Sequence, residues 1–245
     1  MRTIVFIISV LLSVTGHAQF PSGHEVLTKI DENMASDTRI ITSKMIIHGR
    51  RHTRTVKSRT WAKGDQKAYT EYLAPQREKG TKMLKLEERL WMYSPTTDRI
   101  IQISGHMLRQ SVMGSDLSYE DMMEDPHLSE IYDANVTKEE MIDDRPCWVV
   151  RLKAKKANVA YHTRLMWVDQ ERYVPVKEEL YAKSGKLLKK TELMDFKQSD
   201  NRWFPWRMTF KDVLKTGKGT ELVVESVEFN LPLPKHLFTK AVLRR

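Results

Sequence analysis

The sequence has few of the residues and motifs that build disulfides or catalytic centres. Cys147 is the only cysteine in 245 residues, so an internal disulfide is excluded and the fold must rely on its own core. It lies in an alternating stretch typical of a half-buried strand, with no histidine near it in the sequence. No glycine-rich phosphate loop, G-x-S-x-G elbow, H-E-x-x-H pair or cysteine pair is present. We therefore predict no enzymatic activity, no catalytic residue, no metal site and no cofactor.

Long apolar runs are also absent, with one short exception at the start. Residues 4–14 form an apolar run that is too short to span a bilayer. This run follows Arg2 and precedes the small residues Gly16 and Ala18, which is the order found in a secretory signal peptide. We expect cleavage after Ala18, which leaves residues 19–245 as one mature domain in the periplasm. The alternative is an N-terminal membrane anchor.

Basic residues outnumber acidic ones, 41 to 32, and the formal net charge is +9. Such a surplus favours anionic partners. Lysine and arginine are spread over many predicted strands rather than clustered, and a secreted chain rarely meets DNA, so we expect no nucleic-acid partner. His48 and His52 are four residues apart, but in an extended strand that spacing spans about 13 Å. We therefore expect no metal bound between them.

Two stretches have the pattern of helices and most of the remainder has the pattern of strands. Ser22, followed three residues later by Glu25, predicts the start of an amphipathic helix. From Asp37 onward the apolar period changes from helical to two. A second helical stretch is predicted within residues 115–133, where Pro126 stops it. About ten alternating segments with few helices between them predict a mainly β fold (α+β), built on one antiparallel sheet that curls.

A curled sheet has an inside, and alternating aromatic and methionine residues are candidates to line it. Thirteen methionines and six tryptophans favour a large apolar interior, because methionine fills irregular space and tryptophan covers area. We expect this concave surface to accept an acyl chain. The alternative is that the same residues simply pack against the helices as core. The candidate cavity residues are Trp91, Tyr93, Phe204, Trp206, Met208 and Phe210.

An acidic stretch in residues 116–125 permits two interpretations. Several carboxylates in ten positions suit Ca²⁺, but the spacing of a calcium-binding EF-hand loop is absent. Ser118 can instead cap a helix whose third residue is Asp121, and acids in the first turn suit the positive end of the helix dipole. We favour the helix cap.

Four motifs in close succession resemble the outer-membrane lipoprotein-sorting protein family, which has the LolA-like fold. They are Pro75, then residues 79–86 (KGTKMLKL), residues 90–104 (LWMYSPTTDRIIQIS) and residues 113–122 (MGSDLSYEDM). No catalytic role is defined for the matching positions, so the resemblance agrees with a helix cap in the acidic stretch. The positions that match the family pattern are Gly80, Trp91, Tyr93, Pro95, Gly114, Ser115, Asp116, Tyr119, Glu120 and Asp121.

The resemblance implies a curved antiparallel half-barrel with helices on its concave side. It also implies a carrier that takes a lipid, or the acyl chains of a lipoprotein, toward the outer membrane, with an inner-membrane RND- or ABC-type exporter and an outer-membrane acceptor as possible partners. Contact with the membrane would be transient. Two other functions stay open: a periplasmic docking or assembly module without lipid cargo, and a hydrolase that would use Ser115.

Overall fold

The structure is a computed structural model, and it describes residues 20–124 and 127–244. The predicted signal peptide, residues 1–18, lies outside the described residues. Within the described ranges, no helix has both the length and the apolar character needed to cross a membrane.

The first element is the predicted N-terminal helix, α1 (Gly23–Met34). Ser22 caps it, because the Ser22 Oγ accepts a hydrogen bond from the Glu25 amide at 3.1 Å. Val26 and Leu27 on one side of the helix are fully buried and pack in a core cluster with strands that follow later in the chain. The capping signal and the helical spacing in the sequence are both confirmed.

In the described part of the chain, thirteen antiparallel strands form a single sheet. The strands are β1 (Thr38–His48), β2 (Thr53–Lys63), β3 (Lys67–Ala74), β4 (Lys82–Leu86), β5 (Arg89–Ser94), β6 (Arg99–Ile103), β7 (Tyr132–Ile142), β8 (Arg145–Ala154), β9 (Thr163–Asp169), β10 (Pro175–Tyr181), β11 (Leu187–Ser199), β12 (Arg202–Asp212) and β13 (Gly219–Phe229). Their order across the sheet is β6-β5-β4-β3-β2-β1-β13-β12-β11-β10-β9-β8-β7. Because β1 pairs with β13, two meanders join in the middle, and β6 and β7 become the two edges.

The predicted number of about ten strands is too low, for two local reasons. Strand β7 is an edge strand that buries few side chains, so its sequence lacks a clear apolar alternation. Strands β4 and β5 meet at a tight turn made by Glu87 and Glu88, and neither residue is a typical turn former. The sequence of residues 82–94 therefore predicts one strand, whereas the fold has two.

The connection from β6 to β7 joins the two edges of the sheet, so it has to cross one face. We call residues 104–131 the crossover. Its described residues, 104–124 and 127–131, form two short 3₁₀ turns and two short helices, α2 (Tyr119–Met123) and α3 (Leu128–Ile131). The second helical stretch predicted from the sequence is thus two short helices rather than one.

Strand register defines the face that the crossover covers. Met208 on β12 pairs with Leu222 on β13, which pairs with Met45 on β1, and Met45 pairs with Val56 on β2. Met45 and Val56 belong to the core cluster that includes Tyr119 of the crossover, and Leu222 packs against that cluster. We call this side of the sheet the crossover face.

The opposite face has a core of its own. Trp61 lies five residues after Val56 on β2, so its side chain points to the other side of the sheet. Trp61 pairs with Tyr69, Tyr69 with Leu84, and Leu84 with Trp91. The C-terminal segment, with 3₁₀ turns at Lys235–Phe238 and Lys240–Arg244, covers this row. Its Val242 and Leu243 pack in the same cluster.

Replacing Leu243 with alanine should test whether the C-terminal segment supports the sheet. Leu243 is fully buried, so the truncation should lower the free energy of unfolding by about 2–5 kcal/mol, as measured by urea denaturation. Leu214, whose side chain is mostly exposed, provides the matched control, and its replacement with alanine should change the free energy of unfolding by less than about 0.5 kcal/mol. Equal effects of the two substitutions would contradict the packing described here.

Candidate functional site

The acidic stretch begins a helix, and its capping geometry is complete. The Ser118 Oγ accepts a hydrogen bond from the Asp121 amide at 3.3 Å, and the Asp121 carboxylate accepts one from the Ser118 amide at 2.6 Å. These reciprocal bonds form a capping box at the start of α2. The cap predicted from the sequence is confirmed.

Asp121 also binds the sheet, which the sequence did not predict. Its carboxylate accepts hydrogen bonds from the Lys189 ammonium on β11 and from the Tyr161 hydroxyl. Burial alone would raise the pKa of Asp121, but the Lys189 charge and these hydrogen bonds outweigh it and hold the pKa below its usual value. The helix cap is therefore also one half of a buried ion pair.

A second ion pair lies beside the first and is centred on Arg164 of β9. Its guanidinium binds the Glu124 carboxylate of the crossover, lies 3.6 Å from the Glu178 carboxylate, and donates to the Tyr132 hydroxyl at 3.1 Å. Burial would lower the pKa of Arg164, yet the two carboxylates raise it above its usual value. Burial raises the pKa of Glu178. Arg164 therefore holds the end of α2 against the sheet.

Residues 111–116 of the crossover, which precede α2, are also attached to the sheet. The Asp116 carboxylate accepts hydrogen bonds from the Thr220 hydroxyl at 2.8 Å and from the Asp212 amide at 3.0 Å. The Lys215 ammonium donates to the Ser115 carbonyl oxygen at 2.6 Å. These contacts attach residues 111–116 to the ends of β12 and β13.

Ser115 is built into this attachment rather than presented to a substrate. It is fully buried, and its Oγ donates to the Leu117 carbonyl oxygen at 3.3 Å and accepts from the Leu117 amide at 3.2 Å. The neighbouring Gly114 has a φ of +67°, a conformation that favours glycine. The Arg54 guanidinium donates to the carbonyl oxygen of Met113 beside it. This arrangement is a turn, and no side chain among residues 20–124 and 127–244 acts as a base hydrogen-bonded to the serine.

The other family-motif positions also have structural contacts. Gly80 has a φ of +81°, and its amide donates to the Tyr72 carbonyl oxygen at 2.9 Å; a Cβ on Gly80 would contact the Pro95 ring at 3.6 Å. Tyr119 is buried in the crossover core, with its hydroxyl 3.5 Å from the Met92 sulfur. Glu120 lies in the first turn of α2, where its charge suits the helix dipole.

An inner cavity of about 280 Å³ lies between α2 and the crossover face. Its lining is half apolar and half polar or charged, and on β10 and β11 both kinds of side chain project from one face of the same strand. We call the six apolar lining residues, Leu117, Met122, Leu180, Leu193, Met208 and Phe210, the apolar wall; the remaining lining residues are Asp121, Glu124, Arg164, Glu178, Lys189 and Thr191.

An outer cavity of about 530 Å³ lies on the other side of the Arg164 and Glu124 pair, because both residues line both cavities. Its other lining residues are Asp65, Gln66, Lys85, Glu87, Glu88, Leu108, Glu120, Met123, Ile131, Tyr132, Asn158, Val159 and Ala160. Together the two cavities fall within the range of about 300–1,000 Å³ typical of small-molecule sites.

The residues that line the outer cavity also show that the sheet is curved. It is lined by Lys85 from β4 and by Arg164 from β9, which are eight strands apart in the sheet order. In a flat sheet they would be about 38 Å apart. Both strands can border one cavity of this size only if the sheet is strongly curved around the crossover.

The structure brings two of the six predicted cavity residues to the inner cavity. Met208 and Phe210 line it. Phe204 lies further along the same strand and packs edge-on against Phe229 at 5.5 Å between ring centroids. Trp206 shares their face, and its ring lies under the Lys197 ammonium at 4.1 Å.

Trp91 and Tyr93 are not brought to the cavities, because they lie on the opposite face. Trp91 is buried in the cluster with Val242 and Leu243, and the Lys240 ammonium lies 4.5 Å from its ring centroid. The Tyr93 hydroxyl donates to the Asp98 carboxylate at 3.1 Å. Both residues instead support the C-terminal segment.

The charged residues of the inner cavity were not predicted from the sequence, although the residue pattern on β9 and β11 indicates them. Arg164 is in phase with the buried Met166 and Val168, so its side chain has to face the core. A charge in that position requires a buried partner. The same reasoning applies to Lys189, which is in phase with Thr191 and Leu193 on β11.

Two other observations bear on alternative sites. A hollow of about 830 Å³ lies near the end of α1 and is lined mostly by polar residues that include Lys63, Asp65 and Arg202. Within residues 20–124 and 127–244, no group of three or more histidine, cysteine, aspartate or glutamate side chains is arranged to hold a metal ion.

Comparisons with known proteins match both the sequence and the fold. A family model that carries the description "uncharacterized protein" matches residues 64–245. A solved outer membrane lipoprotein-sorting protein domain from Vibrio parahaemolyticus is 27% identical, with 91% of this chain and 98% of that chain covered and a TM-score of 0.81. A search of the curated proteins finds no match.

Two further solved structures share the fold at lower identity. A DUF1329 family protein from Desulfovibrio piger is 22% identical, with 90% of this chain and 97% of that chain covered and a TM-score of 0.83. A LolA superfamily protein from Nitrosomonas europaea is 24% identical, with 91% and 100% covered and a TM-score of 0.76.

Replacing Asp121 with asparagine should destabilise the protein, because Lys189 would stay buried without a counter-charge. Removing one partner of a buried pair typically costs about 3–5 kcal/mol. The lowered pKa of Asp121 means that the pair stabilises the fold above the unfolded pKa, near 4. This contribution is lost as the pH falls through the folded pKa. Urea denaturation should show the largest difference from wild type at neutral pH and a smaller one below about pH 4.

Asp195 supplies the matched control for this substitution. Its carboxylate pairs with Arg207 at 3.1 Å, and both side chains are about half exposed. Replacing Asp195 with asparagine should cost less than about 1 kcal/mol. A loss equally small for Asp121→Asn would show that the crossover is not held by a buried pair.

Proposed function

Because the chain belongs to the outer-membrane lipoprotein-sorting protein family, which has the LolA-like fold, we propose that it is a periplasmic carrier that binds acyl chains beneath the crossover. The sheet acts as a half-barrel, and α1 and the crossover lie in its concave side. Residues 1–18 are a cleaved signal peptide and residues 19–245 are the single carrier domain. The function is binding and transfer rather than catalysis.

The inner cavity is the observation that carries this proposal. Six of its twelve lining side chains are apolar, and an acyl chain placed against them is removed from water at a gain of about 0.8 kcal/mol for each CH₂ group. Met122 and Met208 add flexible side chains to that wall, and methionine adapts to ligands of irregular shape. An acyl chain of a lipid or lipoprotein fits such a surface.

Loading and release require the crossover to move relative to the sheet. Helix α2 has only five residues, so the elements that cover the inner cavity are small. Two buried ion pairs, Asp121 with Lys189 and Glu124 with Arg164, help to retain this cover. A partner that competes for these charges lifts the crossover and exposes the cargo. An inner-membrane exporter of the RND or ABC type and an outer-membrane acceptor are the proposed partners.

The carrier function is tested by asking whether the protein brings lipid with it from the cell. The full chain is expressed with secretion to the periplasm, and the protein is purified without detergent. Native mass spectrometry and lipid extraction should then detect an acylated molecule in near-stoichiometric amount. A protein that is empty and fails to bind added lipid would instead favour the docking module, for which the open sheet edges β6 and β7 offer pairing surfaces.

Substitutions on the two faces of β11 make this test specific. Leu193 lines the inner cavity, and the adjacent Met194 points to the opposite face, where it pairs with Arg207. Leu193→Glu should abolish most of the co-purified lipid, because it places a charge in the acyl-binding wall. Met194→Glu should leave the bound lipid unchanged. Equal retention of lipid by both variants would place the cargo elsewhere.

A further inference from the structure

The cavities beneath the crossover have a charge opposite to that of the whole protein. The chain carries a formal net charge of +9. The described residues that line the inner cavity include three acids, Asp121, Glu124 and Glu178, and two bases, Arg164 and Lys189. The outer cavity adds four acids, Asp65, Glu87, Glu88 and Glu120, and one base, Lys85. Seven carboxyl groups thus share the two cavities with three cationic side chains.

The cations in these cavities already have partners in the protein. Lys189 binds the Asp121 carboxylate, and Arg164 binds Glu124 with Glu178 at 3.6 Å. The Lys85 ammonium donates to the Met123 carbonyl oxygen at 3.4 Å. An anionic head group would have to displace a carboxylate from Arg164 or Lys189, and like charges repel strongly where water is excluded.

The remaining carboxylates lie where the head of a bound amphiphile would emerge. Glu87 and Glu88 are exposed, and Glu120 is partly buried. They border the outer cavity, whereas the apolar wall borders the inner one. A chain that lies along Leu193 and Met208 would therefore direct its polar end past Arg164 toward these acids.

We propose that the cargo head group carries an ammonium group and no surplus of negative charge. This inference rests on the proposed carrier function and adds the chemical class of the cargo. The basic exterior attracts the protein to anionic surfaces, while the acidic interior selects against anionic amphiphiles. The positive charge of the exterior therefore serves the approach to a membrane. The negative charge of the cavities serves the choice among the membrane's components.

Binding of amphiphiles with the same chain and different heads tests this selection. The purified full-length protein, after secretion and removal of bound lipid, is titrated with dodecylamine, dodecylphosphocholine, dodecanol and dodecanoate at neutral pH and low salt. Native mass spectrometry and displacement of a fluorescent fatty amine report affinity. We expect dodecylamine to bind at least tenfold more tightly than dodecanoate, with dodecanol between them. Tight binding of dodecylphosphocholine as well would identify a zwitterionic phospholipid head, and its failure would identify a bare ammonium.

Substitutions of Glu87 and Glu88, which we call the rim of the outer cavity, separate charge selection from a change in packing. Glu87 and Glu88 are exposed, so the double substitution Glu87→Gln, Glu88→Gln should leave the fold intact. It should reduce the ratio of dodecylamine to dodecanoate affinity at least threefold, and raised salt should weaken the preference of the wild type more than that of the variant. Glu192 is exposed on the opposite face, and Glu192→Gln should leave the ratio unchanged.

The outcomes distinguish this inference from the function on which it rests. Equal affinity for all four amphiphiles, or tightest binding of dodecanoate, would overturn the head-group selection and leave the carrier function standing. Binding of none of them by folded protein would overturn both. A preference for dodecylamine that Glu192→Gln reduces as much as the rim substitutions would show general electrostatic attraction and would also overturn the inference.

Discussion

The two edges of the sheet are consecutive in the chain, and this constraint determines the rest of the architecture. Strand β6 ends one edge and β7 begins the other, so the residues between them must cross a face of the sheet. A curved sheet shortens that path and provides a space beneath it. Three attachments hold the crossover there: Asp116 with Thr220, the two ion pairs of Asp121 and Glu124, and Asp31 of α1, whose carboxylate accepts from the Leu128 amide at 2.9 Å.

These attachments are polar, although they lie at a largely apolar interface, and their polarity affects how firmly the crossover is held. A buried ion pair contributes little net stability over a well-packed apolar contact, but breaking it by removing one partner is costly. On the proposed carrier function, a competing charge would release a crossover held in this way. One of the two pairs, Arg164 with Glu124, borders both the inner and the outer cavity.

Much of the local structure was predictable from the sequence, because it depends on neighbouring residues. Ser22 and Ser118 were identified as helix caps from spacing alone, and alternation located most strands. The alternation in β12 placed Phe204, Trp206, Met208 and Phe210 on one face, but only register across β13, β1 and β2 shows that Trp91 lies on the other. The burial of Arg164 and the cover provided by Leu243 depend on contacts distant in sequence, which no local pattern contains.

The account depends most on the claim that an acyl chain lies between the crossover and the sheet. A photo-crosslinking side chain in place of Met208, activated in intact cells, tests this directly, since Met208 lines the inner cavity. The account predicts an adduct whose mass identifies an acylated molecule, and no such adduct when the same side chain replaces Arg207 on the opposite face. Adducts with protein alone, or acyl adducts of equal yield from both positions, would contradict it.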